Sequence, residues 1–185
     1  MHPVRRQAAV VIAIFRSPPH GVVFVERAAH LRDHPGQIGL PGGSVHAEDA
    51  DLEATALREL HEEVGIAPSR ATVVERLPMF RQRLVNNFDV TPFVAVIEPG
   101  ELRIDANETA GVFVVPLETI LTEGLREDGV EYRGTVVQSL VLDYEGRRIW
   151  GLTARILHSF LLAWRAGDLP ARVRALLSQP PTDNL

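Results

Sequence analysis

The sequence predicts an α+β fold in which a central mixed β-sheet is covered by helices on both faces. Three observations lead to this prediction. The 185 residues are 45% hydrophobic, which is enough to fill the core of one compact domain. Short apolar runs of strand length alternate with two substantial segments of helical period. There is no internal repeat or long linker, so we expect one domain over residues 1–178 and a frayed tail over 179–185.

The first two strands are predicted at residues 8–15 and 22–25. Both runs are rich in β-branched or aromatic residues, and the turn-forming stretch 17–21 separates them in a hairpin pattern. Two arginines precede the first run, whose length also matches the apolar part of a signal peptide. Its valine and isoleucine content and the turn that follows favour a strand. No apolar run approaches the roughly 18 residues of a membrane span, so we expect a cytoplasmic protein without a membrane partner.

A helix is predicted over residues 51–64, because polar and apolar residues recur there at helical period and Gly65 follows as a left-handed end. Further strands are predicted at 72–77, 80–85, 88–97, 112–115, 136–144 and 147–150. The residue pairs 86–87 and 145–146 are expected to form tight hairpin turns. Two helices complete the predicted pattern, over residues 153–164 and 170–177.

The composition excludes several kinds of chemistry. The chain has no cysteine, which rules out disulfides, a thiolate nucleophile and cysteine-bound zinc. All 19 basic residues are arginine, so Schiff-base catalysis and a P-loop, which both need lysine, are excluded. The net charge of -5 argues against a protein whose main task is to bind the nucleic-acid backbone. A local arginine pocket for phosphate is compatible with this composition.

One face of the predicted helix carries three carboxylates. Glu59, Glu62 and Glu63 are spaced i, i+3 and i+4, so they fall within one narrow sector. A different sector holds the apolar residues Leu57, Leu60 and Val64. A solvated acidic face, with Arg58 paired to Glu62, would have the same pattern. Clustered carboxylates nevertheless repel one another unless a cation lies among them, and oxygen-rich clusters suit Mg²⁺ or Mn²⁺.

A glycine-rich turn precedes this helix. Residues 41–43, Pro-Gly-Gly, allow the backbone to approach a ligand closely and offer it amides and carbonyls. Gly43 and residues 58–66, RELHEEVGI, resemble the Nudix box of the Nudix hydrolases, G-x₅-E-x₇-REUxEExGU, where U is bulky and aliphatic. The chain departs from this pattern in one place. Asp49 stands at the first acidic position, with Glu48 as the neighbouring alternative, and the box is one residue longer.

The lengthened box is similar to that of the coenzyme A pyrophosphatase branch of the family. A second motif of this branch lies upstream, where residues 27–28, 32, 36 and 40–43 fit its spacing. The motif's opening differs, because Phe24-Val25 replace the usual Leu and Ser or Thr. Residues 149–155, IWGLTAR, resemble the segment that opens the last long helix of the branch. The resemblance covers most of residues 5–164.

This resemblance implies an α/β/α sandwich that hydrolyses a nucleoside diphosphate linked to another group. It assigns Glu59, Glu62, Glu63 and the Gly43 carbonyl to two or more Mg²⁺ or Mn²⁺ ions, and Arg58 to orienting the carboxylates. The chemistry agrees, because a diphosphate is protected by its own negative charge. Catalysis must neutralise developing charge and supply an aligned water.

Nudix enzymes often take one more acid from a distant loop. Glu108, just before the predicted strand at 112–115, is the candidate for this role, and Glu118 is the reserve. A solvated loop acid is an equally good interpretation of Glu108.

For coenzyme A as substrate, the resemblance implies cleavage to 4′-phosphopantetheine and 3′,5′-ADP. Arg27 and Arg32 are then available to bind phosphate, and Gly42 and Gly43 to admit the substrate closely. A structural role is an equally good interpretation of each arginine. Trp150 and Trp164 are most simply interpreted as packing residues of the C-terminal helix, and the neighbouring histidines as solvated or locally bonded.

Other functions stay open at this point. ADP-ribose, NADH or a nucleoside triphosphate is an alternative substrate, because the box fixes the chemistry and not the leaving group. A nucleotide-binding module without turnover is the alternative from another class, although such a module would be expected to lose the three carboxylates. The expected partner is a small nucleotide diphosphate rather than nucleic acid. A homodimer is the commonest assembly of soluble proteins.

Overall fold

The structure is a computed structural model that describes residues 5–28, 36–82, 87–98, 100–104 and 109–179. Its strands are β1 (Arg6–Phe15), β2 (Gly21–Arg27), β3 (Ile38–Gly39), β4 (Gly42–Ser44), β5 (Ala71–Arg76), β6 (Phe80–Arg81), β7 (Phe88–Ile97), β8 (Thr109–Pro116), β9 (Arg126–Tyr132), β10 (Thr135–Tyr144) and β11 (Arg147–Trp150). Its helices are α1 (Leu52–Val64), α2 (Leu117–Thr122), α3 (Gly151–Ala166) and α4 (Leu169–Leu177), with a 3₁₀ turn at Pro68–Arg70.

Strand β1 organises the main sheet. It pairs in parallel with β7 along its full length, and β7 pairs antiparallel with β5 and β6. β1 also pairs antiparallel with β4 at residues 8–10 and with β2 at Ile14. β2 pairs antiparallel with β8 and with β3. One parallel pair among antiparallel pairs makes this sheet mixed, as predicted.

The predicted hairpin between the first two strands is reduced to one paired position, Ile14 opposite Val22. β4 occupies the N-terminal half of β1, and β8 pairs with β2 from Gly21 to Arg27. Strands β3, β4 and β9 and helix α2 were not among the predicted elements. These elements are very short or, in β9, strongly charged, so they lack the apolar periodicity on which the predictions relied.

Apolar side chains leave the two faces of the sheet alternately and enter two cores. On one face, Ala9 and Val11 pack with Leu60 of α1. On the other, Ile12 packs in a larger core that includes Phe160 of α3. Helix α1 therefore covers one face, and α3 and α4 cover the other. This arrangement confirms the predicted mixed α+β sandwich.

The ends of α1 are determined locally. The Asp51 side chain accepts a hydrogen bond from the Ala54 N–H at 2.8 Å, which caps the first turn. At the other end, Gly65 has a φ of 82°, and its N–H donates to the His61 carbonyl at 2.9 Å. The predicted helix at residues 51–64 is confirmed to within one residue.

A second sheet, with strand order β11-β10-β9, leads directly into α3. The Gly151 N–H donates to Ser139 Oγ at 3.0 Å, and Thr153 Oγ1 donates to the Ile38 carbonyl at 3.1 Å. The start of α3 is thereby fixed to both sheets. The division into a domain at 1–178 and a tail at 179–185 stays a prediction, because residues 180–185 lie outside the described part. None of the helices in the described ranges is long and apolar enough to cross a membrane.

Candidate active site

Helix α1 brings the three predicted glutamates to one place but into different environments. Glu59 and Glu63 are buried, whereas the Glu62 side chain is 52% exposed. The buried pair lies against β4 because α1 packs across β4 and β1. An ordinary solvated acidic face would leave all three carboxylates in water, so the burial of two of them separates this helix from that interpretation.

The glycines of β4 admit the two buried carboxylates. The Gly42 N–H donates to Glu63 Oε2 at 3.0 Å. A Cβ added at Gly43 would lie 2.4 Å from Glu59 Oε1, so the missing side chain provides the space for that carboxylate. A Cβ at Gly42 would lie 2.4 Å from the carbonyl oxygen of Ala9 in β1. The two glycines therefore have distinct tasks: Gly42 fits β4 against β1, and Gly43 makes room for Glu59.

Arg58 connects the carboxylates to the turn. Its Nη1 donates to Glu59 Oε1 at 2.9 Å and to Glu62 Oε2 at 2.7 Å. Its Nη2 donates to the Ser44 carbonyl at 2.9 Å. These contacts hold the guanidinium between α1 and the end of β4. The geometry agrees with the predicted orienting role of Arg58.

Asp49 binds the opposite edge of the same guanidinium. Its two oxygens accept from Arg58 Nε at 2.9 Å and Nη2 at 3.1 Å, and it also accepts from the His46 N–H and Thr55 Oγ1. Its side chain is only 4% exposed, whereas Glu48 is exposed. Asp49 rather than Glu48 therefore fills the acidic position of the lengthened box. The bonds from Thr55 and the His46 amide were not predicted, because neither residue belongs to the motif.

The electrostatics of Asp49 and Glu59 differ. The hydrogen bonds from Arg58, together with that from the His46 amide, hold the pKa of Asp49 well below its usual range. Burial raises the pKa of Glu59, and the hydrogen bond and charge of Arg58 offset this effect only in part. Asp49 is thus a fully paired anion, while Glu59 is a desolvated carboxylate that would gain from further positive charge.

This arrangement fits a hard divalent cation by the chemistry of its donors. Glu59, Glu63 and the Gly43 backbone offer oxygen atoms, and a cation there would compensate the desolvated charge of Glu59. Across the described ranges, no three histidine or carboxylate side chains already converge tightly enough to enclose a metal ion. Arg58 holds Glu62 in its present orientation.

A pocket of about 570 Å³ lies next to the glycine turn, on the face of the main sheet opposite α1. Val10 belongs to its lining and is the strand partner of Gly42, so the pocket adjoins the glycine turn from the opposite face of the sheet. Arg27 at the end of β2 also lines it, together with Arg155 of α3. The predicted substrate residue Arg27 therefore lies in the wall of the pocket that adjoins the glycine turn.

The structure leaves the roles of three other predicted residues untested. Arg32 and Glu108 lie outside the described residues, so their roles stay predictions. The reserve acid, Glu118, lies in the first turn of α2, after the Pro116 that pairs with Gly21 at the start of β2. It lines a separate groove with Trp164, and its role as the reserve acid stays a prediction.

Comparison with known proteins identifies the family. Residues 4–140 match the family model described as the NUDIX domain. The chain belongs to the Nudix hydrolase family. It is 41% identical over 160 residues to the uncharacterized Nudix hydrolase NudL of Salmonella paratyphi B, an alignment that covers 85% of this chain and 82% of that protein. The corresponding protein of Salmonella newport gives the same values. Nudix hydrolases are in general metal-dependent pyrophosphohydrolases.

Solved structures share the fold. A MutT/nudix family protein from Enterococcus faecalis aligns with a TM-score of 0.66 over 97% of this chain and 70% of that chain, at 14% identity. The NUDIX domain of Shewanella oneidensis NrtR, complexed with ADP ribose, aligns with a TM-score of 0.51 over 64% and 77%, at 21% identity. At these identities the likeness concerns the fold.

Proposed function

We propose that this Nudix hydrolase uses Mg²⁺ or Mn²⁺ to hydrolyse the diphosphate of coenzyme A or its derivatives. One observation carries the catalytic part of the proposal. Glu59 and Glu63 are buried against the glycines of β4, whereas the carboxylates of a purely solvated acidic face would be exposed to water. The substrate assignment rests on the sequence motif upstream of the box and on the position of Arg27 in the adjacent pocket.

The residues of α1 and β4 have two different roles, holding the metal ions and positioning the carboxylates. Glu59, Glu62, Glu63 and the Gly43 carbonyl would hold the metal ions. Bound metal supplies charge neutralisation and an activated water. Arg58 holds the carboxylates in position through its bonds to Glu59 and Glu62. An electrostatic site of this kind works best when its dipoles are fixed before the substrate arrives.

Two phosphates joined by an anhydride need positive partners beyond the metal. Arg27 lines the pocket beside the glycine turn, and Arg32 belongs to the same upstream motif. Guanidinium groups bind phosphate through paired hydrogen bonds. We assign these arginines to the phosphates of coenzyme A, whose 3′-phosphate distinguishes it from ADP-ribose and NADH.

A substrate panel tests the assignment. We expect kcat/KM for coenzyme A to exceed the values for ADP-ribose, NADH and nucleoside triphosphates, with either metal. An enzyme that ignores coenzyme A and cleaves one of the others efficiently would overturn the substrate assignment and leave diphosphate hydrolysis standing. Absence of turnover on every member, with nucleotide binding retained, would favour the non-catalytic binding module.

Alanine variants of Arg27 and Arg32 provide a second test of the substrate assignment. We expect Arg27→Ala or Arg32→Ala to raise KM for coenzyme A about ten- to hundredfold, as loss of a charge-assisted phosphate contact should. Dephospho-coenzyme A would be affected much less if the lost contact is to the 3′-phosphate. Arg165→Ala is the matched control, because Arg165 is exposed in the last turn of α3. Equal KM values in the Arg27 variant and this control would assign Arg27 a structural role.

A further inference from the structure

Trp150 has a position that the packing of α3 does not explain. It is the last residue of β11, and its neighbour Ile149 is fully buried in the core. Trp150 itself is half-buried and lines the pocket beside the glycine turn. The other tryptophan, Trp164, packs on Phe160 at the far end of α3. The prediction that both tryptophans serve helix packing is therefore insufficient for Trp150.

The indole ring of Trp150 is held in place by Tyr132 of β9. The two ring centroids are 5.5 Å apart, at an interplanar angle of 63°, which is an edge-to-face contact. The pocket wall thus contains an aromatic surface whose orientation is fixed by the second sheet. Such a surface favours a flat ring that stacks on it.

Amide side chains lie around this aromatic surface. Gln37, Gln82 and Gln138 line the same pocket. A glutamine amide offers a donor and an acceptor side by side, which matches the N6 and N7 edge of adenine. The volume of about 570 Å³ falls within the range of small-molecule sites, roughly 300–1,000 Å³.

We propose that this pocket binds the adenine ring of the substrate, with the ring stacked on Trp150 and its edge hydrogen-bonded by the surrounding glutamines. The inference rests on the proposed function, because it assigns the adenine end of that substrate to a place. Arg27 and Arg155 line the same pocket and would face the phosphates carried by the adenosine. The pantetheine half is a flexible chain without a flat ring, so it would gain nothing from stacking and would lose rotational freedom on binding.

Intrinsic fluorescence tests the proposal because the chain has only two tryptophans. Trp164→Phe leaves Trp150 as the reporter. Adenosine monophosphate and uridine monophosphate are the probes, since they differ only in the base and carry no diphosphate to be cleaved. We expect saturable quenching of Trp150 by adenosine monophosphate at concentrations at least tenfold lower than by uridine monophosphate, because only adenine presents the N6 and N7 edge that the glutamines match. We expect no quenching by 4′-phosphopantetheine.

Trp150→Phe is the matched control, because only the distant Trp164 then reports, and we expect no saturable change. Calorimetry on the wild-type protein and Trp150→Leu gives a measurement independent of fluorescence, and we expect the leucine variant to bind adenosine monophosphate roughly ten- to hundredfold more weakly. Equal affinity for the two monophosphates, unchanged affinity in Trp150→Leu, or no detectable binding of adenosine monophosphate would each overturn the proposal. Quenching by adenosine monophosphate in an enzyme that does not cleave coenzyme A would instead overturn only the substrate assignment.

Discussion

Arg58 carries the positive charge at the centre of the carboxylate cluster. Its guanidinium contacts Asp49, Glu59 and Glu62, so one positive charge faces three negative ones. Asp49 takes the fork of the guanidinium with both oxygens and is almost fully buried. It therefore serves to hold Arg58, and the carboxylates of α1 keep an excess of negative charge that a divalent cation would neutralise.

Glu63→Gln tests the metal-holding charge with little change of shape. The amide oxygen of glutamine can still accept from the Gly42 N–H, as Glu63 Oε2 does at 3.0 Å. We expect kcat to fall on the order of a hundredfold or more with an unchanged circular dichroism spectrum, because only the charge is lost. Glu53→Gln is the control, since Glu53 is exposed in the first turn of the same helix. Wild-type turnover of Glu63→Gln at saturating metal would show that the charge of Glu63 has no part in catalysis.

Asp49→Ala should cost less activity than Glu63→Gln, because Asp49 contacts Arg58, Thr55 and the His46 amide rather than the open side of the carboxylate cluster. Steady-state kinetics of the two variants, measured over a range of metal concentrations, provides the comparison. Equal losses, together with weaker metal affinity in Asp49→Ala, would make Asp49 a direct ligand.

The lowered pKa of Asp49 implies that the free energy of unfolding depends on pH. Its pKa in the folded protein lies below the value of about 3.9 in an unfolded chain. The stabilisation by its bonds to Arg58 is therefore complete above that value and is lost as the pH falls toward the folded-state pKa. In urea unfolding with a chelator present, we expect the stability difference between wild type and Asp49→Asn to stay constant from neutral pH to about pH 5 and to narrow as the pH falls from about 5 to 3. A difference that stays constant below about pH 5 as well would show that the Asp49 charge contributes nothing to stability.

The elements differ in how far the sequence determines them. Helix α1 was predicted to within one residue because a side-chain cap and a glycine end mark it locally. Strand β4 has the sequence Gly-Gly-Ser and is held by pairing with β1, so no local sequence pattern predicts it. The carboxylate triad follows from helical spacing, whereas the burial of two of its members depends on β4. The pocket around Trp150 joins two sheets and a helix, which a reading along the chain does not bring together.

The two glycines of β4 should respond differently to alanine. At Gly43 the added Cβ meets the flexible end of Glu59, 2.4 Å from Oε1, so we expect little loss of stability and a loss of activity on the order of a hundredfold. At Gly42 it meets the backbone of β1, which should destabilise the fold by about 1–3 kcal/mol. Urea unfolding and kcat for both variants check this contrast. Gly111→Ala is the control, because a Cβ there meets nothing within 4 Å. An active Gly43→Ala enzyme would contradict the assigned role of Glu59.

At the scale of the whole molecule, the site joins elements that are far apart in sequence. The buried carboxylates come from α1, the glycines from β4, and the adjacent pocket from β2, β10 and α3. Contacts between elements hold this assembly: β4 pairs with β1, the Gly42 N–H donates to Glu63 of α1, and α3 is bonded to both sheets at its start. Binding at the site should therefore stabilise the fold as a whole.

Metal binding provides a global measure of this coupling. A cation at one hundred times its Kd would stabilise the folded state by about 2.7 kcal/mol, which corresponds to a rise in Tm of roughly 5–10 °C for a domain of this size. We expect Mn²⁺ to produce such a rise in the wild-type protein and not in the double variant Glu59→Gln, Glu63→Gln. Thermal unfolding at several Mn²⁺ concentrations measures it. An equal rise in both proteins would place the stabilising ion elsewhere.

We propose that the carboxylates of α1, with a divalent metal, hydrolyse the diphosphate of coenzyme A. Product masses after incubation of coenzyme A with the wild-type enzyme, the chelated enzyme and Glu63→Gln test this claim. We expect 4′-phosphopantetheine and 3′,5′-ADP from the wild type with Mg²⁺ or Mn²⁺, none after chelation, and a rate at least about a hundredfold lower from Glu63→Gln. Intact coenzyme A with the metal-loaded wild type, or full activity in the chelated enzyme or in Glu63→Gln, would contradict the claim.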